Sequence, residues 1–335
     1  MKQGPILLIF CAALFLSFGF GNVGSAGSEN DFRQYKLNQI NSAKFFQSLG
    51  YLVGQELTIH RIKEKYPNSL LLPTLQFEIA FPELKSKFIE VGESAFGQQK
   101  FKKLYENLVE KIENKSSQYE IDEKFVTKFH QTLLDRSEGN IVSPFLETFL
   151  SVLYLDSPFK EYVMGHKQSF SSLNHKKSKG VHVEFELPKS WGAKEGKRPN
   201  TLRQWTSQNG HGQEAINIVI SDLPYALSDI EIETIFNDKD QLQFVPMPKF
   251  IVWDKYFSEI EGQKTVFMES SGLIKRGAAE LYMYTQQVFI FFKDKQIVFT
   301  CAITDSNNDI ATAGGDLIRP LCNAVVNSVV LPELY

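Results

Sequence analysis

Few residues in this chain could do acid–base or metal chemistry. There are six histidines: His60, His130, His166, His175, His182 and His211. No two of them flank a glutamate at helical i, i+4 spacing, so the helix-borne zinc protease arrangement is absent. There is no Gly-x-Ser-x-Gly elbow to present a nucleophile, no phosphate-cradling glycine loop with its lysine, and no Cys-x-x-Cys. Two local arrangements keep some chemical potential. In His182-Val183-Glu184, residues two apart on a strand face the same way, so an imidazole and a carboxylate could share one ion. Glu186 continues that row, whose plainer reading is the solvated side of an edge or surface strand. In Ser207-Gln208-Asn209-Gly210-His211-Gly212-Gln213, the glycines allow a tight turn that would expose His211 beside Trp205 as a binding group. A turn between two strands needs glycine in any case.

Aromatic residues are the other chemical resource, with 28 Phe, 12 Tyr and 3 Trp. Most of the phenylalanines fall on apolar stripes and are accounted for by core packing. Tyr282 and Tyr284 lie in a segment where, if it is one strand, Tyr282, Tyr284, Gln286, Val288, Ile290 and Phe292 share a face. Left open, that face is a binding surface; covered by a helix or by the N-terminal region, it is core.

The elements that must position these groups follow from periodicity. From Asn30 to about Phe170, apolar residues recur at three- and four-residue steps, as in Phe46, Leu49, Val53 and Leu57. Five or six amphipathic helices result, with Gly50 and Gly54 permitting close helix packing. A stretch rich in Ser, Lys, His and Asn follows, and a two-residue period then begins at Val181, Val183, Phe185 and Leu187. Ala215 to Ile220, Phe250 to Trp253, Thr265 to Met268, Leu281 to Phe292 and Ile297 to Ile303 read as further strands, with a polar hairpin tip at Lys293-Asp294-Lys295. Ser228 to Glu231 has capping-box spacing and opens a helix reaching about Phe236. Ile318, Leu321, Cys322, Val325 and Val329 form a last helical stripe, with Pro320 placed in its first turn. The expected class is therefore α+β: an all-helical N-terminal domain followed by an antiparallel-sheet α/β/α sandwich. The expected boundaries are 1–26 for a leader, 27–172 for the helical domain, 173–179 for a polar linker and 180–335 for the second domain.

Lys2, the apolar run Ile6 to Phe20 and the small residues Gly21 to Ala26 make a secretory signal with its cut after Ala26. The run is short of the about 20 apolar residues of a membrane helix, though an uncleaved anchor is the competing reading. Phe10 before Cys11 rules out a lipoprotein cut. The mature chain is expected to be exported, periplasmic or secreted, with no membrane span. It keeps Cys301 and Cys322, which in an oxidising compartment are expected to pair; two buried thiols are the alternative. A formal net charge of -3 gives no concentrated basic surface and hence no expectation of nucleic acid.

The segment Phe185-Glu186-Leu187-Pro188-Lys189-Ser190-Trp191, then Arg198-Pro199-Asn200, then a strand ending in a capped helix, resembles the PsbP-like domain over roughly Gly180 to Leu331. The helical half matches no family. The resemblance implies a fold and a habit of binding rather than a reaction, in a family of non-catalytic adaptors and assembly factors with unrelated partners, and no cofactor is expected for this chain. The expected function is an exported, non-enzymatic binding or assembly protein with a protein partner. The alternatives are a hydrolase or metal-dependent enzyme with a non-local site near His182, Glu184 and His211, and a secreted factor acting on a host or neighbouring cell.

Overall fold

The computed structural model describes residues 39–69, 83–137, 140–237, 250–276 and 279–335. The expected signal segment 1–26 and the apolar residues Leu75, Phe77, Ile79 and Phe81 of the expected helical domain lie outside the described residues. The chain forms two compact units, which divide between Leu155 and Asp156.

In the N-terminal unit the described residues form α1 (Gln39–Lys65), α2 (Leu84–Phe96), α3 (Gln98–Ser116), α4 (Glu123–Ser137) and α5 (Leu146–Leu153). Phe45, Leu49, Phe88, Phe101 and Phe149 fill its main core, with Phe46 and Leu57 only partly buried at its margin. A methyl group on Gly50 would stand 3.4 Å from Leu108, so the α1 glycines face α3, as close packing requires. A smaller cluster of Ile62, Ile121, Val126, Phe129 and Leu133 joins α1 to α4.

The C-terminal unit opens with α6 (Pro158–Val163) and β1 (Lys167–Ser171), which pairs antiparallel with β2 (Glu184–Pro188). The compact division thus falls earlier than the polar stretch 173–179, which connects β1 to β2. Its polarity is used locally: Asn174 and Lys179 adopt left-handed conformations. Lys177 Nζ donates to the carbonyls of Gly196, Arg198 and Thr201. We propose that the two units fold independently. A chain starting at Asp156 is expected to unfold in one cooperative thermal transition; an insoluble or molten fragment would show that the units share a core.

The main sheet follows: β3 (Gly192–Glu195), β4 (Thr201–Thr206), β5 (Glu214–Asp222), β6 (Ile251–Ile260), β7 (Gln263–Arg276), β8 (Ala279–Phe292) and β9 (Lys295–Asp305). Its order is β3-β4-β5-β9-β8-β7-β6, antiparallel throughout. Between β5 and β6 lies α7 (Asp229–Asn237), opened by the expected capping box: Ser228 N donates to Glu231 Oε2 at 2.8 Å and Glu231 N to Ser228 Oγ at 3.3 Å. The alternation of strand side chains buries both faces of the sheet. Val266, Met268, Phe289, Phe291 and Val298 pack under Ile232 and Phe236 of α7. On the other face Ile216, Ile218, Val288, Ile290, Ile297 and Phe299 form one cluster with Phe170 and Phe185 of the β1–β2 hairpin and with the final helix, α8 (Asn308–Asn327).

Helix α8 begins ten residues before its strongest apolar stripe, capped by Asn307, whose side chain accepts from Asp309 N at 2.8 Å. Pro320 is therefore inside the helix and not in its first turn. It sits on the exposed side together with Asp316, so the carbonyl that loses its helical donor faces water. Cys301 of β9 and Cys322 of α8 are bonded, with their Cα atoms 6.0 Å apart and both side chains fully buried. The bridge closes a loop of 21 residues, for which the chain-entropy estimate is about 3 kcal/mol. The C301A/C322A chain is expected to unfold at correspondingly lower denaturant. Coincident unfolding curves for the two proteins would contradict that role.

Candidate functional site

The row His182, Glu184, Glu186 points outward because Val183, Phe185 and Leu187 are drawn into the core. His182 and Glu184 do meet: Nε2 lies 2.9 Å from Glu184 Oε1 and 3.0 Å from Ser171 Oγ. His182 N donates to Glu333 Oε1 at 3.0 Å, and Lys167 Nζ donates to Glu186 Oε2 at 2.7 Å. The Glu333 carboxyl is held below its ordinary range, first by Lys293 and then by that backbone donor. Each member of the row thus has a protein partner. Among the described residues no three His, Cys, Asp or Glu side chains gather in a metal-binding group, and His211 does not join His182 and Glu184 in one.

The loop after β4 is more constrained than its glycines foretold. Gln208, Asn209 and Gly210 have φ of 51°, 54° and 91°, three successive left-handed residues. That conformation costs about 1–2 kcal/mol for each residue other than glycine and must be imposed from outside. Asn209 N donates to Ser190 O at 2.9 Å. Ser190 is itself fixed by the buried Glu161 of α6: its N donates to Oε1 and its hydroxyl contacts Oε2, both at 2.7 Å. Ser207 Oγ bonds Glu214 Oε2 at the base of the loop. A methyl group on Gly192 would stand 2.6 Å from Gly210 N, so the strand beneath the loop needs glycine there. Burial pushes the Glu161 carboxyl up to about 7, against the pull of the Ser190 and Lys189 hydrogen bonds.

His211 is half-buried in this loop. Trp205 is not a surface group: it is 1% exposed, its ring 5.1 Å from Phe170 and 5.4 Å from Phe185. As the inward residue of β4 between two phenylalanines it belongs to the core, which corrects its assignment as a binding residue.

Strand β8 is continuous, and α8 covers its aromatic face. Tyr284 is 1% exposed and lies under Gly315, where a methyl group would come within 2.6 Å of the ring. Tyr284 is therefore also a core residue. Its hydroxyl donates to Glu269 Oε2 at 2.9 Å, and burial, then the neighbouring Glu269 carboxylate, raise its pKa above the ordinary phenol value. Arg319 of α8 completes the group. Its Nη2 donates to Glu269 Oε2 at 2.8 Å, its Nε lies 2.7 Å from Oε1, and Nη2 also reaches Asp316 at 3.1 Å. Burial works against the Arg319 charge, but the bonds to Glu269 and Tyr284 outweigh it and raise its pKa.

Tyr282, at the uncovered end of the same face, keeps 37% of its surface. Nearby are two residues the sequence reading did not select, Trp253 and Tyr256 of β6, 47% and 41% exposed. The Trp253 ring lies 5.8 Å from that of Tyr284 and 5.8 Å from the Arg319 guanidinium; Tyr256 stacks on Phe267 at 4.7 Å. The signal for them was the pair of aromatics set among charges in Trp253-Asp254-Lys255-Tyr256, which marks an edge strand rather than a buried one. What this corner offers is a packed aromatic surface whose internal charges are already paired, suited to contact rather than to proton transfer.

The chain matches no protein-family model and no curated protein. Solved structures similar to it include the cyanobacterial PsbP of Synechocystis sp. PCC 6803, at 14% identity and a TM-score of 0.36 over 50% of this chain and 92% of that one. The Ran-binding protein Mog1p of Saccharomyces cerevisiae gives 9% and 0.36, over 50% and 98% of the two chains. LpqN, involved in cell envelope biogenesis in Mycobacterium tuberculosis, gives 14% and 0.30, over 52% and 96%.

Proposed function

We propose that this chain is an exported, non-enzymatic binding or assembly protein whose C-terminal unit is a PsbP-like domain. The observation that carries the reading is the contrast inside that unit. Its buried carboxylates are spent on structure, Glu161 on Ser190, Glu214 on Ser207 and Glu269 on Tyr284 and Arg319. Three of its exposed aromatic residues, Trp253, Tyr256 and Tyr282, instead keep between 37% and 47% of their surface open to contact. Aromatic side chains supply contact area at small entropic cost, which is why they anchor protein interfaces. The resemblance of Phe185 to Asn200 to the family's strand–loop junction supports the domain assignment. The leader-like first 26 residues and the Cys301–Cys322 bridge support export. No helix among the described residues is long and apolar enough to cross a membrane.

The test is a photo-crosslinking amino acid placed at Trp253, and separately at exposed Ser258 on the same strand, in the exporting cell. A discrete protein adduct at these positions, absent from a control at exposed Lys176 in the β1–β2 connection, is the expected result. A stoichiometric metal in the purified protein, lost in H182A or E184A, would replace this reading with a metal-dependent one.

A further inference from the structure

Strand β6 ends the sheet, and among the described residues nothing pairs with its outer edge. The opposite edge, β3, is only four residues long, whereas β6 has ten. A long unpaired strand is a template for another strand, and folds usually blunt it. Here one end is blunted, by the bulge between Val252 and Asp254, while Asp254 to Ile260 keeps unbroken register with β7. We propose that this regular half of β6 pairs antiparallel with the same segment of a second copy, extending one continuous sheet across both chains.

The register follows from symmetry and charge. A two-fold axis perpendicular to the sheet keeps each face on its own side, so opposed residues must share a face and the axis must pass beside one residue. Centred on Phe257, the whole segment Asp254 to Ile260 pairs with itself and the bulge stays clear. Phe257 packs with the α7 cluster and Tyr256 with Phe267, so Lys255, Phe257 and Glu259 lie on the α7 face. At this centre Lys255 opposes Glu259 of the second copy, twice. Tyr256 opposes the small Ser258 on the other face, leaving room for the ring. Lys255 Nζ already donates to Phe236 O and, at 3.2 Å, to Asn237 Oδ1. An ammonium has a third hydrogen for the incoming carboxylate. Opposite charges directly across strands favour pairing and like charges oppose it. The dimer would use Tyr256 and Ser258, which the binding reading above also uses, so an adduct at Ser258 between two copies of this chain speaks for the dimer and an adduct to another protein speaks for that reading.

Sedimentation equilibrium of the purified chain is expected to show a reversible dimer. E259K sets lysine against Lys255 twice and is expected to weaken the dimer by about tenfold or more. The K255E/E259K double variant is expected to restore it. Amide exchange over residues 254–260 should slow as the dimer forms. A wild-type chain that stays monomeric, a dimer indifferent to E259K, or unchanged exchange at 254–260 overturns the proposal. Because Lys255 also holds Phe236, the double variant counts only if its thermal unfolding matches that of the wild type; otherwise E259K and the exchange data decide.

Discussion

Replacing Arg319 with leucine is expected to destabilise the C-terminal unit by about 3–5 kcal/mol, the range for stranding one member of a buried ion pair. The asymmetry of the pair makes the prediction specific. Glu269 is 4% exposed by side chain and Arg319 32%. Removing the arginine leaves a carboxylate that is buried away from water, to which, among the described residues, only Tyr284 still donates. Removing the glutamate with Glu269→Leu leaves a guanidinium that keeps Asp316 and can turn toward solvent. The first change should therefore cost clearly more than the second, and the double variant should recover much of the loss. Urea unfolding of the wild type, both single variants and the double variant at pH 7 closes the cycle. An R319L cost below about 1 kcal/mol, or equal costs for the two singles, would show that the pair is screened like a surface salt bridge.

Stability is also expected to fall as pH rises, by an amount traceable to Glu161. Its carboxyl titrates at about 7 in the folded chain against an ordinary value of 4.5. Below the ordinary value both folded and unfolded chains hold the proton, and the contribution is fully present. Between the two values only the folded chain holds it, and the contribution is lost as pH passes the folded value. The separation corresponds to roughly 3–4 kcal/mol. In Glu161→Gln the amide can accept from Ser190 N and donate to its hydroxyl, so the Ser190–Asn209 connection survives without a titrating group. The stability difference between wild type and E161Q, followed from pH 4 to 8, should therefore drift in favour of the variant. A difference that is flat with pH would mean that Glu161 ionises freely.

The sequence reading succeeded where side chains have a single strong preference. Alternation through Val183, Phe185 and Leu187, and through Ile297, Phe299 and Cys301, marks inward faces because each of these residues loses water on one side only. That logic also brought Cys301 under Cys322. It failed where contact depends on a small side chain. Gly314 and Gly315 sit in a stretch that looks like loop, yet they are helical and buried: a methyl group on Gly314 would stand 2.3 Å from Ile303 Cδ1. The helix start, and with it the place of Pro320, was hidden by this close approach. The sequence pattern ends strand β6 at Trp253 because the rest of the strand alternates weakly, with Ile260 its one buried residue. Among the candidate groups, Trp205 and Tyr284 look like exposed aromatics until the elements covering them are known. Glu161 and Glu269 owe their environments to partners 29 and 50 residues away, which no local pattern records.

The sheet order has a consequence for how the chain acquires its structure. Most ladders join neighbours in sequence, but the central one pairs β5, residues 214–222, with β9, residues 295–305. Two sub-sheets, β3–β5 and β6–β8, can form early from local hairpins, whereas their union must wait for the last strand and pay a larger loop-closure entropy. Until β9 arrives, the β5 edge carrying Ile216, Ile218 and Ile220 is open, as is the β8 edge carrying Val288 and Ile290. A chain stalled between residues 222 and 295 during synthesis therefore presents uncovered apolar strands to its neighbours. Covalent closure by Cys301 and Cys322 comes later still, since both thiols lie on the two elements that assemble last.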